Sequence, residues 1–163
     1  MRIFKEEQRF TQTWLIVIIV ISLIVTLAII LKEIDKLSAS EIIISIGTII
    51  LASGLIFLFK LSTRIDEKGI HYKFFPFHLK FKTVVWNDIE NAYIRTYDAI
   101  SEYGGWGIRG GALWYKAKGK AINISGNIGI QLELKDGKKL LIGTNKKEQA
   151  QDVLSTYKTQ HHG

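Results

Sequence analysis

Two uncharged apolar segments dominate the first third of the chain. Residues 14–31 read WLIVIIVISLIVTLAIIL and residues 42–59 read IIISIGTIILASGLIFLF, each 18 residues long and without a charged side chain. An 18-residue helix rises about 27 Å, close to the roughly 30 Å thickness of the hydrocarbon layer of a bilayer. Together with the loop 32–41, the two segments therefore predict a transmembrane helical hairpin over residues 14–61.

Two other interpretations of these apolar segments are weaker. A signal peptide has a shorter apolar core followed by a small-residue cleavage site, and no such site follows the first segment. A core helix of a water-soluble protein would show a polar stripe, and neither segment does. Trp14 and Lys60 stand at the two ends that share one membrane face, where indole rings and ammonium groups are favoured.

The charges around the apolar segments predict an orientation. The protein has a net charge of +7. Residues 1–13 carry +1, the loop 32–41 carries −1, and the chain from Lys60 onward carries +7 from 17 basic and 10 acidic side chains. Because basic residues accumulate on the cytoplasmic side of membranes, both termini and the C-terminal domain are expected in the cytoplasm.

Small residues within the two segments predict a packing surface between the helices. Ser22 and Thr26 share one face of the first helix, and Gly47 and Gly54 share one face of the second. Small side chains let helix backbones approach closely in lipid, so these four residues are expected at the helix–helix contact. The alternative is that they face lipid. Neither span contains an ionisable residue, so a pore or transporter is not indicated.

The N-terminal residues 1–13 have two interpretations. Ile3, Phe10 and Trp14 recur at nearly helical spacing, which predicts a helix at the membrane surface that continues into the first span. Glu7 interrupts this apolar face, so a solvated cytoplasmic tail is the equal alternative.

The remaining chain, residues 62–158, predicts a β domain with a final helix. Apolar and polar residues alternate around the turn DEKG at 66–69, and Asp136-Gly137 marks a second β-hairpin. Asn145 and Glu148 have the spacing of a capping box and open a helix over about 146–157, which leaves residues 159–163 as a tail. About seven short strands are expected, over TRIDE, GIHYKF, KFKTVVW, IENAYIRTY, ALWYKA with KAINIS, GIQLEL and KKLLIGT.

Antiparallel strands in this number must close or stack to protect their edges. The predicted fold is therefore α+β: a two-helix transmembrane hairpin, then an antiparallel β-barrel or sandwich capped by a C-terminal helix. The segments VVWNDIENAYI, LELKDGKKLLIGT and NKKEQAQDVL resemble a bacterial pleckstrin-homology (PH)-like domain. EEQRF, TRIDEKGI and YGGWGIR resemble a group of small bacterial proteins with two spans before such a domain. The resemblance implies the bacterial cytoplasmic (inner) membrane, a scaffolding or interaction role and self-association.

The most unusual part of the β domain is the segment YGGWGIRGG at residues 103–111. Trp106 and Arg109 are residue types enriched in binding hot spots, and the glycine amides offer a cradle for an anion. A candidate binding site therefore consists of Tyr103, Gly104, Gly105, Trp106 and Arg109. The structural alternative is a bulge or short strand at WGIR with Trp106 in the core. The segment lacks the strand–GxGxxG–helix context of a nucleotide site, so no cofactor is expected.

Basic and histidine residues give further candidates. Six lysines lie at predicted turns and suit either contact with anionic lipid or ordinary solubilising charge: Lys116, Lys118, Lys120, Lys135, Lys138 and Lys139. Their spread over turns does not indicate nucleic-acid binding. There is no cysteine, and His71 and His78 are expected at the surface rather than in a metal site. No catalytic motif is present, so a non-enzyme is expected.

Three functions follow, in order of preference. The first is a membrane-anchored, non-catalytic module that presents a cytosolic surface to a protein partner or to a second copy of the chain. The second is recognition of anionic lipid headgroups or another small anion by the basic domain. The third is a membrane enzyme with a site that no sequence motif reveals.

Overall fold

The structure is a computed structural model that describes residues 3–110 and 118–161, with side chains up to residue 157. The chain is α+β and divides into two units. One is a helical unit of residues 10–59, and the other is a β domain formed by the residues before and after it. The predicted strand at ALWYKA and the last glycine of YGGWGIRGG lie outside the described residues.

The helical unit contains the two predicted apolar helices, α1 (Thr13–Lys32) and α2 (Ala39–Leu58). Their mean hydropathies are 3.3 and 2.3. Ile30 is the only buried residue of α1, and α2 has none. A helix that is apolar on all sides and uncovered by protein is typical of a membrane span, so the two helices suggest a membrane location.

The start of α2 follows a recognised sequence signal. Ser38 accepts a hydrogen bond from the Glu41 backbone amide, and the Glu41 carboxylate accepts one from the Ser38 amide. This capping box satisfies amides that have no partner within the helix.

The four small residues expected at the helix–helix contact do not form a close one. A side chain added at Gly47 or Gly54 would meet no atom within 4 Å. The Ser22 and Thr26 hydroxyls donate to backbone carbonyls of their own helix, at 2.8 and 2.9 Å. Open space at both glycines means that the α1 backbone does not approach them.

The N-terminal residues form a strand, β1 (Phe4–Arg9), instead of a helix or a solvated tail. This strand pairs antiparallel with β2 (Lys60–Asp66), so that Phe4 lies opposite Ile65 and Arg9 opposite Lys60. The two apolar helices are thus inserted in the chain between two adjacent strands of one sheet. Phe4, Glu6 and Gln8 point inward, while the residues between them are exposed. Two of the three inward side chains are polar, which explains why the alternation was not recognised as a strand.

The first sheet has the order β1-β2-β3-β4, with β3 (Gly69–Phe75) and β4 (Lys82–Val85) completing it. The turn between β2 and β3 lies at Glu67 and Lys68, as the DEKG segment predicts. All neighbouring strands in this sheet are antiparallel.

The second sheet is formed by β5 (Ile89–Thr96), β6 (Gly107–Gly110), β7 (Lys120–Asn123), β8 (Ile128–Leu134) and β9 (Lys139–Gly143). Its order is β5-β8-β9-β7-β6, and β7 pairs parallel with β9. Strands are present at TRIDE, GIHYKF, KFKTVVW, IENAYIRTY, KAINIS, GIQLEL and KKLLIGT, as the sequence predicts. The expectation that all strands pair antiparallel is wrong, because β7 and β9 are parallel. No strand pairing joins the two sheets in the described part of the chain, so the predicted barrel is not closed.

Side chains join the two sheets where backbone pairing does not. The buried Glu6 carboxylate of β1 accepts hydrogen bonds from the Thr144 hydroxyl at 2.6 Å and from the Asn145 amide at 2.8 Å. The Gln8 side-chain amide donates to the Gly143 carbonyl at 2.9 Å. The N-terminal strand therefore binds the end of β9, more than 130 residues away in the chain.

The predicted C-terminal helix is present as α4 (Lys147–His161). It contacts β1 and β2 of the first sheet and β5 and β8 of the second. Tyr157 of α4 stacks on Trp86 with ring centroids 5.5 Å apart, and the Trp86 indole donates to the Asp66 carbonyl at 2.8 Å. The helix thus covers residues of both sheets and holds the turn after β4 against the core.

Asp66 is another buried acidic residue, whose carboxylate binds neighbouring side chains in the first sheet. Its carboxylate contacts Arg64 at 2.8 Å and the His71 ring at 2.9 Å, and His71 also lies 2.8 Å from the Thr83 hydroxyl. Burial raises the pKa of Asp66, but the hydrogen bonds from His71 and the Lys68 amide outweigh burial and leave that pKa lowered. His71 is therefore a half-buried structural residue and not the surface histidine that the sequence predicts.

Candidate functional site

The predicted site residues lie around a short helix that the sequence analysis missed, α3 (Ala99–Tyr103). Asp98 caps this helix by accepting hydrogen bonds from the Ile100 and Ser101 amides at 2.8 and 2.9 Å. Both hydrogen bonds lower the pKa of Asp98, and the one from the Ser101 amide has the larger effect. The turn that follows begins at Gly104, whose φ of 74° favours glycine because other side chains are strained there. The helix is thus fixed at both ends.

Glu102 holds α3 against β5 through charged partners. Its carboxylate contacts Arg95 at 2.9 Å, Lys118 at 3.6 Å and the Asp98 amide at 2.9 Å. Burial raises the pKa of Glu102, but these partners, the Asp98 amide foremost, outweigh it and leave the pKa lowered. Arg95 also donates to the Tyr103 hydroxyl at 2.9 Å. Arg95 and Lys118 are therefore already paired with an anion of the protein.

Tyr103 belongs to the core rather than to a surface. It is buried and makes an edge-to-face contact with Tyr97, with ring centroids 6.1 Å apart. Burial raises the pKa values of both tyrosines. Trp106 is partly buried and packs against the cluster that contains them. Trp106 is thus better described as an aromatic residue that closes the core, which is the structural alternative, than as an exposed binding hot spot.

The glycine amides do not form an anion cradle. The Gly104 amide donates to the Ile100 carbonyl at 2.8 Å, and the Gly105 amide donates to the Ala99 carbonyl at 2.7 Å. The Gly107 amide donates to the Asn123 side chain at 2.9 Å. With three amides committed to the fold, none of them is left to bind an anion.

The Arg109 side chain likewise contacts other residues of the segment YGGWGIRGG. Its Nε donates to the Trp106 carbonyl at 2.9 Å, and its guanidinium lies over Gly105, 3.6 Å from where a side chain would begin. Gly107–Gly110 forms β6, which agrees with the short strand proposed for WGIR. The segment is therefore a folded connection that the arginine helps to close.

What remains accessible is a cleft beside α3, with a volume of about 510 Å³. One wall is α3 with Trp106, and the other is the turn at Gly126 and Asn127. Ile100 stands at its rim with 64% of its surface exposed. Asp98 and Glu102 line the cleft, and its described lining contains no lysine or arginine. The cleft therefore suits an apolar or cationic group of a partner better than an anion.

The lysines expected at turns are placed as follows. Lys138 pairs with Asp136 at 2.6 Å, Lys139 with Glu133 at 3.3 Å and Lys118 with Glu102 at 3.6 Å. Their charge is thus partly neutralised by neighbouring carboxylates. Lys120 and Lys135 lie in β7 and in the turn after β8, and Lys116 lies outside the described residues.

His78 is buried, in contrast to the surface position expected for it. Burial, with Lys82 and Lys120 adding to it, lowers the pKa of this histidine. Within the described residues, no group of three or more histidine, cysteine, aspartate or glutamate side chains has the arrangement of a metal site.

Sequence reasoning missed α3, Ile100 and the cleft. The only local signal was Asp98, because aspartate is a residue type that commonly caps the start of a helix. A helix of five residues is too short to show an apolar period, so the pattern alone gave no reason to place Ile100 at a surface.

Comparison with known proteins gives no family. No family model, no curated protein and no solved structure matches this chain.

Proposed function

We propose that this chain is a membrane-anchored module without catalytic activity, whose β domain presents the cleft beside α3 to a protein partner or to a second copy of the chain. The observation that carries the proposal is the exposed Ile100 at the rim of a cleft whose helix is capped, ion-paired and packed on the core. Apolar anchors on rigid elements lose little conformational entropy on binding and are typical of interaction surfaces.

The anchorage proposal is supported by the two uncovered apolar helices together with the pairing of β1 and β2. Arg9 and Lys60, which flank the helices in the chain, lie opposite each other in one sheet. Two spans that start and end at neighbouring strand positions return the chain to the membrane face from which it left. The basic excess from Lys60 onward favours the cytoplasmic face of a bacterial inner membrane.

We also propose a relationship with the PH-like domains that several segments of the chain resemble. Antiparallel strands followed by a C-terminal helix support it. The two unjoined sheets and the parallel pair β7–β9 are departures from the barrel that this resemblance implies.

Anionic lipid binding by the lysine turns is the weaker alternative. Three of these lysines are paired with carboxylates, and the amides of Gly104, Gly105 and Gly107, expected to cradle an anion, are occupied.

Photocrosslinking in native membranes tests the interaction surface. With p-benzoylphenylalanine in place of Ile100, we expect a discrete crosslinked product, identified by mass spectrometry as a partner protein or as a dimer of the chain. The same residue in place of Val85, which is exposed on the other sheet, is the matched control and should give no such product. No product at position 100, or the same product at both positions, would contradict the proposal.

Protease protection tests the orientation. Protease added outside intact cells should leave residues 62–163 uncut, whereas protease added to inside-out membrane vesicles should cut exposed turns such as the one at Asp136-Gly137. Digestion of the β domain in intact cells would place it on the outer side and reverse the charge-based assignment.

A further inference from the structure

An exposed apolar surface of the β domain lies in the loop between β3 and β4, residues 76–81, which we call the aromatic loop. Its sequence is PFHLKF, and the strand residues Phe75 and Lys82 flank it. Phe77 is 67% exposed and Leu79 is 77% exposed, and Phe75 and Phe81 are also exposed. A contiguous apolar surface of this kind is typical of a binding surface rather than of an ordinary loop.

The aromatic loop has a defined shape. The Phe74 carbonyl accepts a hydrogen bond from the His78 amide at 2.8 Å, and the Phe74 amide donates to His78 Nδ1 at 3.3 Å. Phe77 stacks on the buried Phe74 with ring centroids 6.1 Å apart, and His78 contacts Tyr72. Phe74 and His78 thus anchor the loop inward, and Phe77 and Leu79 project outward as a result.

The charged side chains within this segment of the chain are all positive. From Lys73 to Lys82 the chain has three lysines, the third being Lys80, and no acidic residue. Lys80 and Lys82 are exposed, and the Lys73 ammonium lies 5.2 Å from the centre of the Phe81 ring. Aromatic rings interleaved with lysines match the boundary between lipid headgroups and acyl chains, where rings enter the apolar layer and ammonium groups meet phosphates.

The position of the loop in the sheet agrees with that partner. In the strand register, Phe75 lies opposite Lys60, and Lys60 lies opposite Arg9. The loop therefore leaves the sheet at the end where the chain enters α1 and returns from α2. The other end of the β2–β3 pair, at Glu67, is about 20 Å away along the strands.

We propose that the aromatic loop inserts Phe77 and Leu79 into the headgroup region of the bilayer, with Lys80 and Lys82 bound to anionic headgroups, so that the β domain is held against the membrane surface. The inference rests on the proposed membrane anchorage. It adds a second contact with lipid that restricts the orientation of the domain on its two-helix tether.

Depth-dependent fluorescence quenching in the full-length protein tests this inference. The natural chain has no cysteine, so single-cysteine variants carry one environment-sensitive dye each. Leu79→Cys reports on the aromatic loop, Glu67→Cys at the opposite end of the sheet is the control, and Leu51→Cys in the middle of α2 reports on membrane insertion. The variants are reconstituted in phosphatidylcholine vesicles, with or without phosphatidylserine, that contain nitroxide-labelled lipids.

We expect headgroup-level nitroxides to quench the dye at residue 79 several-fold more strongly than the dye at residue 67. Deep acyl-chain nitroxides should quench the dye at residue 51. Phosphatidylserine should increase quenching at residue 79, and Lys80→Glu with Lys82→Glu should remove that increase.

Other results would refute the contact of the loop with lipid, the membrane anchorage, or both. Quenching at residue 51 together with equal, weak quenching at residues 67 and 79 would refute the loop contact and leave the anchorage intact. Absence of quenching at residue 51 would refute the anchorage and the inference with it. A blue-shifted dye at residue 79 that lipid nitroxides do not quench, with a shift that grows with protein density, would assign the loop to a second copy of the chain.

Discussion

Trp86→Ala is expected to destabilise the β domain by about 3–5 kcal/mol, the usual cost of removing a buried tryptophan side chain. Trp86 is 8% exposed, stacks on Tyr157 of α4 and donates to the Asp66 carbonyl. Its loss removes apolar contacts between the first sheet and the C-terminal helix and leaves a buried carbonyl without that hydrogen bond. Chemical unfolding of the detergent-solubilised protein, followed by circular dichroism of the β domain, measures the change.

Val85→Ala is the matched control for this substitution. Val85 is the preceding residue in the chain but is exposed, so its truncation should change the free energy of unfolding by less than about 0.5 kcal/mol. Equal effects of the two substitutions would show that Trp86 does not join the sheet to α4 as the structure has it.

Phe4→Ala is expected to destabilise the β domain by about 3 kcal/mol or more, because Phe4 is 2% exposed in the first strand of the sheet. If the N-terminal residues were a solvated tail, the same substitution would have almost no effect. The free energy of unfolding, measured as for Trp86→Ala, therefore separates a structural strand from a tail.

Lys5→Ala is the control for the N-terminal strand. Lys5 is exposed, and its backbone carbonyl, which accepts a hydrogen bond from Lys146, is kept in the alanine variant. A change of less than about 0.5 kcal/mol is expected. A small effect of Phe4→Ala, similar to that of Lys5→Ala, would contradict the pairing of β1 with β2.

The β1 strand shows why sequence reasoning failed at one point and succeeded at others. A period-two pattern predicts a strand when its inward residues are apolar, but β1 turns Glu6 and Gln8 inward. These side chains form hydrogen bonds with Thr144, Asn145 and Gly143, which no local pattern connects with the N-terminus. The hairpin at Asp136-Gly137 was predictable because its turn and both strands are contiguous, and Gly137 has the positive φ of 80° that such a turn requires.

The candidate site also has some features that the sequence predicts and others that only the structure shows. The sequence identified YGGWGIRGG as unusual, and the structure does place Trp106 beside a cleft. It could not show that the amides of Gly104, Gly105 and Gly107 are already hydrogen-bonded, because their partners are fixed by α3 and by Asn123 of β7. The sequence analysis did not identify the aromatic loop as a surface. Only the burial of Phe74 and His78 showed which of its side chains remain exposed.

Features that depend on neighbouring residues could be predicted from local patterns: two apolar helices, the capping box at Ser38, the β-hairpin turns and the C-terminal helix. Tertiary structure alone decided the pairing of β1 with β2 across the inserted helices, the parallel contact of β7 with β9 and the two unjoined sheets. Hydropathy, capping and turn preferences act over a few residues, so they can be recognised in a short stretch of sequence. Strand partners and exposed faces depend on which distant surfaces bury each other, and that balance is settled only when the whole domain is packed.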